Sequence, residues 1–484
     1  MDFIELQKNL GFILLPLSYL YTLVMRIRRA IGKIGLLGRL DPYCPCISVG
    51  NISWGGTGKT PVIDWLLDWA EQKQLSVSVL TRGYKSDNSS TILPLYVKPH
   101  HKPKEVGDEP LMLALEHPNA SILVDPNRIR SGRYAVQVLK PDLLLLDDGF
   151  QQVGVKKTLD FVLLSEEDLT KQWNRVIPAG SWREGSQALE DASAFLIKAD
   201  KEKMQSLLPI IQNRLFHFGK PVFSFYLKPV LLKGAGLSEA VTAKEFAGRS
   251  YILVTGVGNP NQVLHTVESY LGYSPETHII FSDHHRYTFQ DINRLLSFNL
   301  PIICTMKDFV KLQWLPVSEL WGLQVKTVFE GYLWSKYSFP QWLAALWDEK
   351  HHNIVDSLGE DIEDYKGFNS SVTLFFEEQG EESIPPEYEQ SIQDKAVSND
   401  LIIFDDERSD VDEVSVIQNN NNVEVQHTDD HEEIDNMRTT VILPESPQNL
   451  YHGSHVMDEA TFSNKRERDI LRNDSNDNNS ERAT

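Results

Sequence analysis

A lysine and a threonine directly behind a run of glycines are the residues of this chain best suited to hold phosphate. They close the stretch Ser53, Trp54, Gly55, Gly56, Thr57, Gly58, Lys59, Thr60. The glycines let backbone N–H groups turn toward an anion, Lys59 can reach the terminal phosphates of a nucleotide, and the Thr60 hydroxyl can bind Mg²⁺. These eight residues are the candidate ATP site. A strict phosphate-binding loop has a glycine where this chain has Ser53, so the pattern departs at one position. A second group of side chains can hold a cation. Four leucines run into Asp147 and Asp148, and carboxylates at a strand end in a chain with a phosphate loop suit Mg²⁺. Three arginines, Arg128, Arg130 and Arg183, fall in turns or loops after strands. Asp108, in Gly-Asp-Glu-Pro, stands where a helix starts and is read either as a helix cap or as a functional carboxylate. The pair His284-His285 behind Asp283 is likewise open between a structural and a chemical role.

These residues need a scaffold that gathers strand ends. The run Ile47-Ser48-Val49 reads as a buried strand, and a period-3.6 pattern (Val62, Trp65, Leu66, Trp69) predicts a helix from Pro61. Strands are predicted within 76–84, 120–125, 141–147, 159–164, 192–200 and 220–227, with Asp87–Ser90 a polar turn and a helix over 106–116. The leucine strand before Asp147 has no alternation, as in a strand buried on both faces. Open parallel sheets bind ligands at the carboxyl ends of their strands. A second α/β unit is read from residue 228, with strands near 251–255, 278–282 and 300–305. Its Gly256-Val257-Gly258 turn lacks the third glycine of a dinucleotide fingerprint.

The chain has 484 residues and a formal net charge of −21. That charge is unevenly placed. Residues 351–484 hold 9 Lys and Arg against 33 Asp and Glu, a balance of −24, so the first 350 residues carry +3 and can receive a phosphorylated substrate. Three cysteines make neither a disulfide framework nor a zinc set, as in a reducing compartment. Residues 12–25 are apolar apart from Ser18 and Thr22 and are followed by Arg26, Arg28, Arg29 and Lys33. As a helix they would reach roughly 21 Å at about 1.5 Å per residue, short of the ~30 Å hydrocarbon layer. A helix lying in a membrane face fits both features, with an ordinary core helix as the other reading. The expected fold class is α/β. It comprises a P-loop kinase-like core with a mostly parallel sheet (41–227), a second smaller α/β domain (228–350), an N-terminal membrane-associated helical segment (1–40) and a disordered acidic tail (351–484).

In this order, PLSYLY, VGNISWGGTGKTP, TRGY, GDEP, DDGFQ, PAGSWRE, DHHRYT and TMKDFVKL resemble the tetraacyldisaccharide 4'-kinase family of lipid A biosynthesis. The resemblance covers about residues 10–330. Gln152 stands where the family often has His, and the tail has no counterpart. What the resemblance implies is Mg²⁺-dependent transfer of the ATP γ-phosphate to the 4'-hydroxyl of a tetraacyldisaccharide 1-phosphate, giving lipid IVA. The implied place is the cytoplasmic face of the inner membrane, peripheral or monotopic. The implied partners are the lipid A precursor disaccharide and the membrane surface, with no nucleic acid. Carried onto this chain, Asp108 is the base on the sugar hydroxyl and His284 its partner. Lys59 and Thr60 hold phosphates and metal, Asp147 and Asp148 stand near the metal, and Arg128, Arg130 and Arg183 fit substrate or phosphate contact. A competing reading is a switch ATPase of the partition or targeting type, whose loop also contains G-G-T-G-K-T. Those loops place a lysine where this chain has Trp54.

Overall fold

The computed structural model describes residues 3–36, 38–83, 93–235, 240–314 and 319–348, together with the backbone of Phe375–Phe376. The predicted turn at Asp87–Ser90, Tyr84 and nearly all of the acidic tail lie outside the described residues.

A long amphipathic helix, α1 (Phe3–Lys33), precedes the first lobe. The lobe then runs β1 (Cys46–Asn51), α2 (Lys59–Gln72), β2 (Val77–Thr81), β3 (Leu95–Tyr96), α3 (Pro103–Val106), α4 (Asp108–Glu116), β4 (Ser121–Val124) and α5 (Arg128–Tyr134). It continues with β5 (Leu143–Asp147), β6 (Leu159–Leu164), α6 (Glu166–Leu169), β7 (Ala194–Lys198) and α7 (Lys201–Leu215). The second lobe holds β8 (Val222–Gly234), β9 (Ala240–Val241), α8 (Ala243–Phe246), β10 (Ile252–Thr255), α9 (Pro260–Leu271) and β11 (Thr277–Ile280). It closes with α10 (Phe289–Leu296), β12 (Ile302–Thr305), α11 (Met306–Leu312), β13 (Leu320–Leu333) and α12 (Phe339–Asp348), and β14 (Phe375–Phe376) pairs with β13.

One sheet passes through both lobes in the order β11-β10-β12-β13-β8-β7-β6-β1-β5-β2-β4-β3. Its pairs are parallel except β13/β8, β3/β4, β8/β9 and β13/β14. The central strands β1, β5 and β6 are buried along their whole length. That explains their unbroken apolar runs, since helices cover both faces of a parallel sheet. The order puts β1 between β5 and β6, so the loop after β1 emerges beside Asp147 at the carboxyl end of the sheet. Strand β8 crosses residue 228, where the sequence suggested a boundary, and its antiparallel pairing with β13 carries the sheet from one lobe to the other.

Three local expectations are corrected. Helix α2 begins at Lys59 rather than at Pro61, because Gly58 in a left-handed conformation (φ 95°) ends the loop two residues sooner. Pro61 then lies in the first turn, where N–H groups have no intrahelical partner to lose. Asp108 is the first residue of α4 rather than its cap. Gly107 occupies the cap position at φ 95° and ψ 154°, and no side chain caps this helix. Helix α1 spans 31 residues with Pro16 inside it, longer than the apolar run suggested. Ser18 in α1 accepts a hydrogen bond from the Ala179 N–H at 3.0 Å, and Arg29 reaches Glu184 at 2.7 Å. Both contacts tie the helix to the loop that carries Arg183.

Helix α12 returns to the first lobe, although its sequence belongs to the second unit as read from residue 228. Phe339 is fully buried, stacked on Phe329 at 4.1 Å and packed against Phe161 and Phe223 at 5.3 and 5.2 Å. Phe339→Ala should therefore cost about 3–5 kcal/mol, the usual range for a buried aromatic truncated in a core. Urea denaturation should show the loss as a lower midpoint with an unchanged slope. A midpoint equal to wild type would mean α12 does not belong to the first-lobe core.

Candidate functional site: a phosphate loop facing a second lobe

The loop between β1 and α2 is built for an anion. Gly55 (φ 132°) and Gly58 (φ 95°) take backbone conformations that side chains rarely adopt. A Cβ on Gly55 or Gly56 would point into open space, while one on Gly58 would press on the Phe225 ring at 3.2 Å. Ser53 and Trp54 are held from outside. Ser53 bridges to Trp182, and the Trp54 N–H donates to the Ser181 carbonyl at 3.0 Å. Because no side chain caps α2, its first N–H groups remain oriented toward the loop, as an anion site at a helix N-terminus requires.

Lys59 stands over this loop. Its ammonium donates to Asn51 Oδ1 at 3.1 Å and lies 3.5 Å from Asp148 Oδ1. Asn51, at the end of β1, was not singled out from sequence, and nothing in its type signals the role. Thr60 Oγ1 donates to Glu109 Oε2 at 2.7 Å, and the other Glu109 oxygen pairs with Lys307 from the second lobe. Glu109 and Lys307 were also missed, although each sits inside a motif quoted above, GDEP and TMKDFVKL. Burial pushes the Glu109 carboxyl up, but the Lys307 ammonium outweighs it and holds the group at about 2.

The two aspartates after β5 experience opposite surroundings. Asp147 is buried, accepts from Thr81 Oγ1 at 2.8 Å, and is pushed up to about 6 by burial and by the nearby Glu109 charge. Burial also acts on Asp148, but Lys59 and Arg183 outweigh it and hold its carboxyl below the usual range. Arg183 Nη1 donates to Asp148 Oδ2 at 2.7 Å. Asp148 sits at φ 52°, a sparsely populated region that recurs at functional sites. The Oδ1 atoms of Asp147 and Asp148 are buried with no hydrogen-bond partner. Two buried carboxylate oxygens without a hydrogen bond, the Asp148 one 3.5 Å from the Lys59 ammonium, are a donor set that fits a hard divalent cation.

The other wall of the cleft belongs to the second lobe. His284 Nδ1 lies 3.1 Å from Asp108 Oδ2, and Lys311 Nζ lies 3.5 Å from the same oxygen. His284 also has positive φ (58°), and its N–H donates to the Gly256 carbonyl. Asp308, fully buried, organises this wall. It accepts from the Gly256 N–H at 2.8 Å and from Tyr287 Oη at 2.9 Å, and pairs with Lys311 at 3.0 Å. The fold thus brings Asp108 and His284 into contact across 176 positions. A cavity of about 270 Å³ opens beside them, and a larger one of about 580 Å³ reaches Thr60 and Lys307.

Two of the predicted arginines stand elsewhere. Arg128 is buried and donates to the backbone carbonyls of Asp125 and Asp147, at 2.7 and 3.2 Å. Arg130 forks onto the Asp125 carboxylate with two contacts of 2.8 Å. Both donors are turned to the protein, Arg128 behind the strand end that carries Asp147.

The raised Asp147 carboxyl has a pH signature. A folded-state value of about 6 against an ordinary 3.8 favours folding while the group is protonated, and that advantage is lost as pH rises through the folded value. In metal-free protein, Asp147→Asn should raise the melting temperature relative to wild type near pH 8. The gain should shrink toward zero as pH falls to about 4. Parallel curves for the two proteins would show that Asp147 is not strained by its charge.

Comparison with known proteins agrees with this geometry. A family model described as tetraacyldisaccharide-1-P 4'-kinase matches residues 10–339. The tetraacyldisaccharide 4'-kinase of Oleidesulfovibrio alaskensis is 46% identical over 356 residues, covering 72% of this chain and 98% of the relative. That of Nitratidesulfovibrio vulgaris is 44% identical over 345 residues, covering 71% and 95%. Among solved structures, the "apo" form of LpxK from Aquifex aeolicus in complex with ATP is 30% identical with a TM-score of 0.54, covering 66% of this chain and 95% of that one. A family model over most of the chain and a match along nearly the whole length of these relatives lead to one conclusion: this chain belongs to the tetraacyldisaccharide-1-P 4'-kinase family.

Proposed function

We propose that the cleft between the two lobes is where the γ-phosphate of ATP passes to the 4'-hydroxyl of a tetraacyldisaccharide 1-phosphate. The chain is an ATP-dependent kinase of lipid A biosynthesis by its family, and the cleft supplies what that reaction needs. Phosphoryl transfer is mainly positioning and stabilisation of charge. N–H groups between Gly55 and Thr60 cradle the phosphates, Lys59 offsets the charge on the terminal groups, and the nucleoside extends into the 580 Å³ cavity beside Thr60. Asp147 and Asp148, with the Thr60 hydroxyl, would hold Mg²⁺, which neutralises phosphate charge when bound. Arg183 keeps Asp148 ionised beside Lys59, while Arg128 and Arg130 act through Asp147 and Asp125 rather than on substrate.

Asp108 takes the proton of the 4'-hydroxyl as its oxygen attacks the γ-phosphorus and ADP departs. His284 contacts one oxygen of the Asp108 carboxylate, which leaves the other to receive the proton. Lys307 and Lys311 bring cations from the second lobe to the same wall. The single observation that carries the assignment is this contact of His284 with Asp108. It joins the carboxylate that would take the proton to an imidazole held by a different lobe.

Helix α1 supports a membrane-facing reading. Ile13, Leu17, Leu20, Val24 and Ile27 recur at helical spacing and are all more than half exposed. Arg26 and Arg28 are exposed beside them. Among the described residues no helix is long and apolar enough to cross a membrane. An exposed apolar stripe flanked by cations suits a helix lying in an anionic surface, the cytoplasmic face of the inner membrane in this reading. Leu17→Gln with Leu20→Gln and Val24→Gln should move the protein from vesicle-bound to free in flotation. The same variant should raise KM for the lipid acceptor more than it lowers kcat. Unchanged flotation would return the stripe to an ordinary surface.

The test of the chemistry is Asp108→Asn and His284→Ala. Each should lower kcat by about two to four orders of magnitude, the usual range for a general base. The double variant should be little worse than the poorer single one, because the two act as a unit. ATP binding should persist in both. Since Gly107 and not Asp108 caps α4, wild-type turnover in folded Asp108→Asn would leave the base assignment with no support.

A further inference from the structure

A second group of charged side chains lies at the far ends of α2 and α4, away from the phosphate loop. His117 follows α4, is 3% exposed, and has a buried Nδ1 with no hydrogen-bond partner. Its other nitrogen, Nε2, lies 2.8 Å from Asp64 Oδ1. Asp64 also contacts Lys326 Nζ at 3.0 Å, so it presents a carboxylate to the ring. A carboxylate on Nε2 fixes the proton there and leaves the Nδ1 lone pair pointing away. What it points toward is acidic. Asp68 Oδ1 is 3.9 Å from Nδ1, and one ligand atom each from Asp68, Glu71 and His117 lie within 4.8 Å of one another.

We infer that Asp68, Glu71 and His117 form a binding site for a borderline divalent cation such as Zn²⁺. Two features carry this. First, a carboxylate on the outer nitrogen of a buried imidazole is the arrangement that orients metal-bound histidines. Second, one imidazole and two carboxylate ligands with room for water suit Zn²⁺ in four-coordinate form. A cavity of about 390 Å³, lined by Glu71, Gln74, Ser76, His117 and Asn119, gives that entry and room. Asp68 and Glu71 lie one turn apart on α2, so they share a face. The bound ion would pin the end of α2 to the end of α4. Those two helices begin with Lys59-Thr60 and Asp108-Glu109.

The full chain is stripped with chelator, incubated with micromolar Zn²⁺, freed of excess ion by gel filtration, and its zinc measured by plasma mass spectrometry. Wild type and Asp147→Asn should each retain about one Zn²⁺ per chain, the second variant excluding retention at the phosphate site. His117→Ala and Glu71→Gln should retain none. Zinc should raise the melting temperature of wild type, as any ligand of the folded state does, and leave that of Glu71→Gln unmoved. Glu71 is only partly buried, so Glu71→Gln folds even if His117→Ala does not. Zinc-free wild type after this treatment would overturn the site. Equal retention by wild type and Glu71→Gln would overturn it as well.

Discussion

Asp108 and Glu109 are adjacent at the start of α4, and both turn negative charge into a cleft that burial makes costly for it. How that charge is offset decides the rest of the arrangement. Glu109 is paired by Lys307 and Asp108 by His284 and Lys311, all from the second lobe. Removing one partner of a buried pair leaves an uncompensated charge, which costs several kcal/mol. The first lobe offers Glu109 the neutral Thr60 hydroxyl and, as a smaller effect than Lys307, the charge of Lys59. The wall of the cleft is therefore satisfied only when both lobes contribute. Phosphoryl transfer gains from the same condition, since a site completed by approach of two lobes excludes the water that would otherwise hydrolyse ATP.

The opposite wall uses the same physics with another balance. Asp147 and Asp148 are neighbours in sequence, yet one is pushed up and the other held down. The difference is which cations they meet. Asp148, at positive φ, turns to Lys59 and Arg183. Asp147 stays in line with the strand, where its side-chain partner is the neutral Thr81 hydroxyl. A carboxylate left short of positive charge in a buried place gains most from a cation that arrives with substrate.

The phosphate loop, the acidic strand end and the sheet that gathers them were legible because each rests on a local pattern. An unbroken Leu run, a Gly-rich junction and a Lys-Thr pair are visible within a dozen residues. The Asp108–His284 pairing was visible only through the family resemblance, since no periodicity links positions 176 apart. Glu109, Lys307 and Asn51 were overlooked for a related reason. Their residue types are common, and their roles arise from contacts that β13 and β8 create by carrying one sheet through both lobes. Arg128 shows the reverse error. A basic residue just after a strand reads as a phosphate ligand, but α5 turns it inward beneath Asp147. The capping role considered for Asp108 failed because Gly107, with its positive φ, takes that position.

Helix α2 joins these observations mechanically. Its first residues, Lys59 and Thr60, close the glycine loop, and Val62, Ile63, Leu66 and Leu67 bury its inner face in the core. Its Asp64 and Asp68 are one turn apart and both contact Lys326 of β13. One residue further along β13, Thr327 Oγ1 donates to the Pro61 carbonyl at 2.9 Å. The strand that leads out of the second lobe is thus bonded to the helix that leads out of the phosphate loop. A lateral shift of β13 would have to break a buried ion pair to two carboxylates before it could leave α2 behind. The stiff element is the helix, closed by its own backbone hydrogen bonds. Displacement of the second lobe is consequently felt at Lys59 and Thr60 through α2, as well as directly through Lys307 and Glu109. These two routes meet at Thr60, whose hydroxyl is bonded to Glu109 and whose backbone belongs to α2.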